Sequence, residues 1–157
     1  MMPKVYIETT VISYLTAWPS RDLVRAAHRQ LTREWWESRR AGFESYVSQI
    51  VLREVGAGDP EAAAQRLHIL RDIPVLRVTD EVAGFAEELI KRVPFPPKAA
   101  ADAVHVAIAV LHGMDYLLTW NCAHIANAAL RSRIDAVCRE GGYEPLVICT
   151  PEELLEE

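Results

Sequence analysis

Three acids and one amide, Glu8, Glu54, Asp102 and Asn121, lie far apart in the sequence but at positions from which one site could be built. Carboxylates brought together repel, raise one another's pKa and destabilise a fold unless a cation neutralises them. Oxygen donors without a thiolate or histidine cluster suit Mg2+ or Mn2+ better than zinc. An ion so held lowers the pKa of a bound water, polarises a phosphoryl oxygen and stabilises a leaving alkoxide. That is the chemistry of phosphodiester hydrolysis. Other chemistries lack their residues. No GxSxG elbow serves Ser13 or Ser48, and there is no GxGxxG or P-loop for a nucleotide. Cys122, Cys138 and Cys149 show no CxxC spacing and read as reduced thiols. His112 and His124 complete no ligand set.

Asp102 has the strongest individual case. It interrupts Lys98–His112, a helical stretch that is otherwise alanine, valine, isoleucine and leucine apart from Lys98, His105 and His112. A helix apolar on every face is buried on more than one side, and an unpaired charge there is expensive. The plain alternative is an exposed pair with Lys98 four positions back, worth only ~0.2–0.5 kcal/mol. Glu8 at a strand end and Glu54 on a helix also read as ordinary solvated acids, until something places them together.

The elements that would do so are short β-rich runs alternating with helices. Lys4–Ile7 reads as the first strand. Arg21–Arg40 reads as one amphipathic helix, with Leu23, Ala27, Leu31 and Trp35 as its apolar stripe. Arg21, Arg25, Arg29 and Arg33 are offset from that stripe by about 200° and face away from the core. Glu44–Ser48 is the second strand, Ser48 caps a helix running to about Val55, and Asp59-Pro60 starts another. Val75–Val78 is the third strand, and Thr79 caps a helix that ends before Pro94-Phe95-Pro96-Pro97. Tyr116–Thr119, the helix Asn127–Glu140 and the strand Leu146–Ile148 follow, and Thr150-Pro151-Glu152-Glu153 is a capping box for a last short helix.

Strands spaced by helices predict an α/β fold with a mainly parallel sheet, whose ligands bind beyond the carboxyl ends of the strands. Glu8 ends the first strand, and Glu54 lies early in the helix leaving the second. Asp102 starts a helix returning toward the fourth strand, and Asn121 follows that strand. All four fall at one edge. Asp115 precedes the fourth strand and belongs at the opposite edge.

Four segments carry a family resemblance: Val5-Tyr6-Ile7-Glu8-Thr9-Thr10, Val47-Ser48-Gln49-Ile50-Val51-Leu52-Arg53-Glu54, Asp102-Ala103-Val104-His105-Val106-Ala107-Ile108-Ala109 and Tyr116-Leu117-Leu118-Thr119-Trp120-Asn121. In that order they resemble the PIN-domain family, in particular the VapC-like toxins of type II toxin–antitoxin systems, over nearly the whole chain. The resemblance implies a three-layer α/β fold with strand order 3-2-1-4-5 and helices on both faces. It also implies a Mg2+- or Mn2+-dependent endoribonuclease, homodimerisation and inhibition by a co-encoded antitoxin. Glu8, Glu54 and Asp102 then take the three acidic positions, and Asn121 takes the place of the usual fourth acid. Thr9 and Thr119 match positions that steady the acids by hydrogen bonding. With His105, three residues after Asp102, they are also the candidates for contact with substrate, although His105 reads more readily as a hydrogen-bonded packing histidine.

Two departures matter. The family usually has aspartate where this chain has Glu8, and Asn121 keeps an oxygen but loses a charge. The alternative is therefore a catalytically weakened PIN domain that binds RNA or a protein partner. A metal-dependent phosphatase or a flap-type DNA nuclease is a third reading.

Length and composition agree with these expectations. The 157 residues predict a single domain, 1–157, and half of them are apolar. No apolar run approaches the ~20 residues of a membrane helix, and the Met1–Glu8 start lacks the apolar stretch of a signal peptide. A cytoplasmic protein is expected. The formal net charge of −5 argues against general adhesion to nucleic acid, but Arg21–Arg40 carries six arginines against Asp22, Glu34 and Glu37. That segment can hold an RNA backbone, dock an acidic antitoxin segment or simply be solvated. Tyr14 and Trp18 can stack on bases or pack against the first helix or a dimer partner.

Overall fold

The computed structural model describes residues 2–155. Its sheet contains β1 (Lys4–Ile7), β2 (Glu44–Ser48), β3 (Val75–Leu76), β4 (Tyr116–Leu118) and β5 (Val147–Cys149) in the order β3-β2-β1-β4-β5. Every pairing is parallel; Tyr6 stands between Tyr46 and Leu117, and Leu117 lies opposite Ile148. The expected fold class and strand order are both present.

Successive side chains of a strand point to opposite faces, yet Val5, Tyr6 and Ile7 are all 0% exposed. Both faces of the central strand are therefore covered, as a parallel sheet requires. The cover is α1 (Thr9–Thr16), α2 (Leu23–Glu34), α3 (Gln49–Val55), α4 (Pro60–Leu70), α5 (Asp80–Arg92), α6 (Ala100–Leu111) and α7 (Ala128–Glu140). Ser48, Asp59, Thr79 and Asn127 each accept a backbone amide at the start of a helix, a cap worth ~1 kcal/mol. In α6, Ala103 and every residue from His105 to Val110 are buried, as its all-apolar surface predicted. No helix of the described residues is long and apolar enough to cross a membrane.

The structure departs from the sequence reading in five places. Thr9–Thr16 forms a helix where none was expected. Its first four residues are all β-branched and of modest helix propensity, but Val11 and Ile12 are 0% exposed and packing decides the matter. The stretch expected as one helix over Arg21–Arg40 starts at Leu23, and continues past Glu34 as a π-helical turn, Trp35–Arg39, and a 3-10 turn, Arg40–Gly42. Its packed stripe is His28–Thr32–Trp35 rather than one beginning at Leu23, which is 85% exposed. Thr32 can be buried because its hydroxyl donates to the His28 carbonyl and accepts from Trp120 Nε1. Finally, β3 stops at Leu76, β5 is shifted by one residue, and the last capping box holds only a turn over 151–155. Glu153 still accepts from Thr150 there.

Candidate metal centre

β1 delivers Glu8 to the carboxyl edge. The Glu8 amide donates to the Leu118 carbonyl at 3.0 Å, extending the ladder by one residue, and the extended backbone there starts α1. Its side chain does not cap that helix. Instead Oε1 accepts from Thr10 Oγ1 and Thr119 Oγ1, each at 2.5 Å. The two hydroxyls have little choice of direction. Thr10 Oγ1 already accepts from the Trp120 amide, and Thr119 Oγ1 from the Asn121 amide, both at 2.9 Å, so their protons turn to Glu8. The carboxylate is only 3% exposed.

Glu54 is held in a similar way. It lies in α3, which Ser48 caps from the end of β2. Its Oε1 accepts from Thr9 Oγ1 at 2.5 Å and pairs with His105 Nε2 at 2.7 Å. His105 Nδ1 lies 2.6 Å from the Tyr6 hydroxyl, which lies 2.8 Å from Ser48 Oγ. Burial pushes the Tyr6 phenol far above its ordinary pKa, so it stays protonated. One ordering uses each proton once. Ser48 donates to Tyr6, Tyr6 donates to Nδ1, and Nε2–H donates to Glu54, while Ser48 Oγ accepts the Val51 amide.

Burial raises the Glu54 pKa, but hydrogen bonds from His105 and then Thr9, with the nearby charge of Arg53, outweigh it and lower the pKa overall. A depressed folded-state pKa contributes stability above the ordinary glutamate range, and that stability is lost as pH falls through the folded value. The urea midpoint of the protein is therefore expected to fall on acidification below that range more steeply than that of Glu54→Gln. Equal slopes in the two proteins would remove the effect.

Ligand-capable atoms of Glu8, Glu54 and His105 lie within 4.8 Å of one another. Both nitrogens of His105 are already committed at 2.6 and 2.7 Å and the residue is 1% exposed, so it supports an acid rather than offering a lone pair. In both glutamates Oε1 takes the hydrogen bonds, and among the described residues Oε2 takes none. Two carboxylates thus meet with no lysine or arginine ion pair among the described residues. This all-oxygen donor pair suits a hard divalent cation such as Mg2+ or Mn2+.

The other two expected ligands are differently engaged. Asp102 stands outside this 4.8 Å group, and its Oδ2 pairs with His124 Nδ1 at 2.9 Å; Lys98 is not its partner. Asn121 Oδ1 accepts the His124 amide at 3.0 Å and closes the turn that follows β4. His124 therefore joins the two residues, a role nothing in its spacing announced. Thr119 is 0% exposed and, like Thr9 and His105, bonds an acid. Asp115 lies at the opposite edge, accepting the Lys4 amide.

The structure superposes on Mycobacterium tuberculosis VapC20, a Sarcin-Ricin loop cleaving toxin, with a TM-score of 0.63 over 80% of this chain and 95% of that one. The chain has the PIN-like fold of VapC toxins. Rickettsia felis VapBC2, solved bound to a DNA fragment from its promoter, gives a TM-score of 0.56 over 93% of this chain and 97% of that one. Sequence identities to the two VapC structures are 17% and 13%, so the likeness is one of fold. No family model matches the sequence, and no curated protein matches it either.

Proposed function

We propose that the protein is a Mg2+- or Mn2+-dependent endoribonuclease and the toxin of a toxin–antitoxin pair. The observation that carries this reading is the convergence of Glu8 and Glu54, each fixed through Oε1 and open at Oε2, at the edge where such sheets bind ligands. The Sarcin-Ricin loop cleaving activity of VapC20, on the same fold, supports RNA as the substrate. A cognate antitoxin, a homodimer and a cytoplasmic setting belong to the same reading.

Glu8 and Glu54 would hold the cation, with Asp102 and Asn121 as the further oxygen donors at that edge. Bound there, a divalent ion would supply an acidified water and charge stabilisation at the scissile phosphate. Thr10 and Thr119 orient the Glu8 carboxylate, and Thr9 and His105 orient that of Glu54, so the donors are set before substrate arrives. Burial of Glu8 keeps bulk water from competing with the phosphate.

A second reading, RNA binding without cleavage, is favoured by the engagement of Asp102 and Asn121 with His124. One experiment separates them. Labelled RNA and the matching DNA are incubated with the protein in Mn2+, in chelator, and with Asp102→Asn. RNA cleavage that needs the ion and Asp102 is expected. Cleavage that survives chelator or the substitution sinks the metal site, and retention of RNA without any cutting favours the second reading.

A further inference from the structure

Tyr14, Trp18, Arg25 and Arg29 take no part in the acid cluster, yet the fold gathers them into one cavity of about 450 Å3. Its position follows from α1. At 100° per residue, Thr9 and Thr10 bracket a flank of the helix on which Ser13 and Ala17 fall, with Tyr14 close beside Thr10. The opposite flank, Val11 and Ile12, is 0% exposed. The residues that hold Glu54 and Glu8 occupy the first turn, and the residues that line the cavity follow along the same flank, about 6 Å further for every four residues. A linear ligand lying along this flank runs from the acids into the cavity.

The walls have two characters. Trp18 is 89% exposed, an indole left without a covering layer. Tyr14 is propped edge-on against His28 at 5.3 Å and Trp120 at 6.2 Å, between ring centroids. Arg29 is fixed by its Nε, which donates to the Ala17 carbonyl at 2.9 Å, and Arg25 lies exposed one turn earlier. Two guanidinium groups line the cavity and no acid does, in a chain of formal net charge −5. Aromatic faces beside cations, with no opposing carboxylate, complement a base with its flanking phosphates.

We infer that this cavity is a subsite for one nucleotide of single-stranded RNA, its base against Trp18 and Tyr14 and its phosphates on Arg25 and Arg29, flanking the position cut at the acids. The inference rests on the nuclease reading for the direction of the strand, but not for the binding itself. A base must leave its stack to reach an aromatic platform, which selects single strands over duplex.

The test uses the full chain, Trp18→Ala, Trp18→Phe and Arg25→Gln, with a fluorescein-labelled oligouridylate and its deoxy counterpart. Binding is read by anisotropy in chelator, so that no cutting intervenes, and cleavage is read separately in Mn2+. Trp18→Ala is expected to weaken RNA binding about tenfold and to raise KM by a similar factor, and Trp18→Phe to restore much of both. Arg25→Gln is expected to lower the log–log salt slope of binding by about 0.7, the signature of one lost single-strand phosphate contact. Cleavage by a protein whose RNA affinity is untouched by either substitution overturns the subsite and leaves the nuclease. Binding that weakens as stated, with no cleavage by any protein, keeps the subsite and removes the nuclease. Equal losses for the deoxy strand assign the cavity to single-stranded nucleic acid in general and overturn its RNA selectivity. A Trp18→Ala protein that binds RNA normally but loses association with a second protein overturns the inference.

Discussion

Replacing Glu8 by glutamine is expected to reduce RNA cleavage about a thousandfold while leaving the urea midpoint unchanged or raised. The two effects separate because the residue has two oxygens with different duties. Oε1 takes the protons of Thr10 and Thr119, and an amide oxygen can still accept both. Oε2 has no hydrogen-bond partner among the described residues, and there the amide replaces a charged ligand with an NH2 group. At 3% exposure and close to Glu54, the native charge is a cost to the fold that the substitution removes. Glu8→Ala is the control. It strands the hydroxyl donors of half-buried Thr10 and buried Thr119 and should cost about 1–3 kcal/mol. Cleavage by Glu8→Gln within tenfold of the parent would exclude Glu8 from the metal site. A midpoint that drops as far as in Glu8→Ala would make the residue structural.

The sequence exposed the sheet and its edge well. β1 and β2 have the bounds that the β-rich runs suggested, and Ser48, Asp59 and Thr79 were readable as caps because each precedes an apolar helical run. The strand-edge rule placed Glu8 and Glu54 together without any contact being visible in the chain. Two kinds of information were not local. α1 is written Thr-Thr-Val-Ile at its start, which is a strand-like composition, and only burial of Val11 and Ile12 makes it helical. That helix supplies Thr9, which the family resemblance singles out as a support of the acids, and Thr10, which nothing in the sequence does. The pairing of Asp102 with His124 spans 22 residues and depends on how the loop after β4 turns. Asn121 reads as a fourth ligand by position, and in the fold its oxygen closes that same loop.

His105 illustrates the gap between face and contact. It lies three residues after Asp102, 300° around α6, and so shares a side of the helix with it. The two then reach different partners, since Asp102 pairs with His124 while His105 turns inward between Tyr6 and Glu54. A buried histidine at 1% exposure with both nitrogens bonded is a spacer that fixes the distance between a strand and an acid. The Ser48–Tyr6–His105–Glu54 chain therefore ties the second acid to β2 and to β1, the strand that also delivers the first.

Truncating that spacer should be the most damaging change to the fold among the site residues. His105→Ala removes a buried ring, leaves a cavity beside Tyr6 and strands the Tyr6 hydroxyl, a combination expected to cost about 3 kcal/mol. For a domain of this size that lowers Tm by roughly 6–12 °C. Cleavage measured well below the new midpoint should still fall about 10–100-fold, the usual consequence of losing a group that orients a metal ligand. Tyr6→Phe distinguishes positioning from bulk stability. It keeps the ring between β2 and β4 and removes only the oxygen that joins Ser48 to His105, so its stability cost should stay near ~1 kcal/mol. If the relay aims Glu54, Tyr6→Phe must lower kcat with KM little changed, and must weaken Mn2+ binding measured by calorimetry. Full kcat and unchanged Mn2+ affinity in Tyr6→Phe would reduce the relay to packing, and the loss in His105→Ala would then belong to the cavity alone.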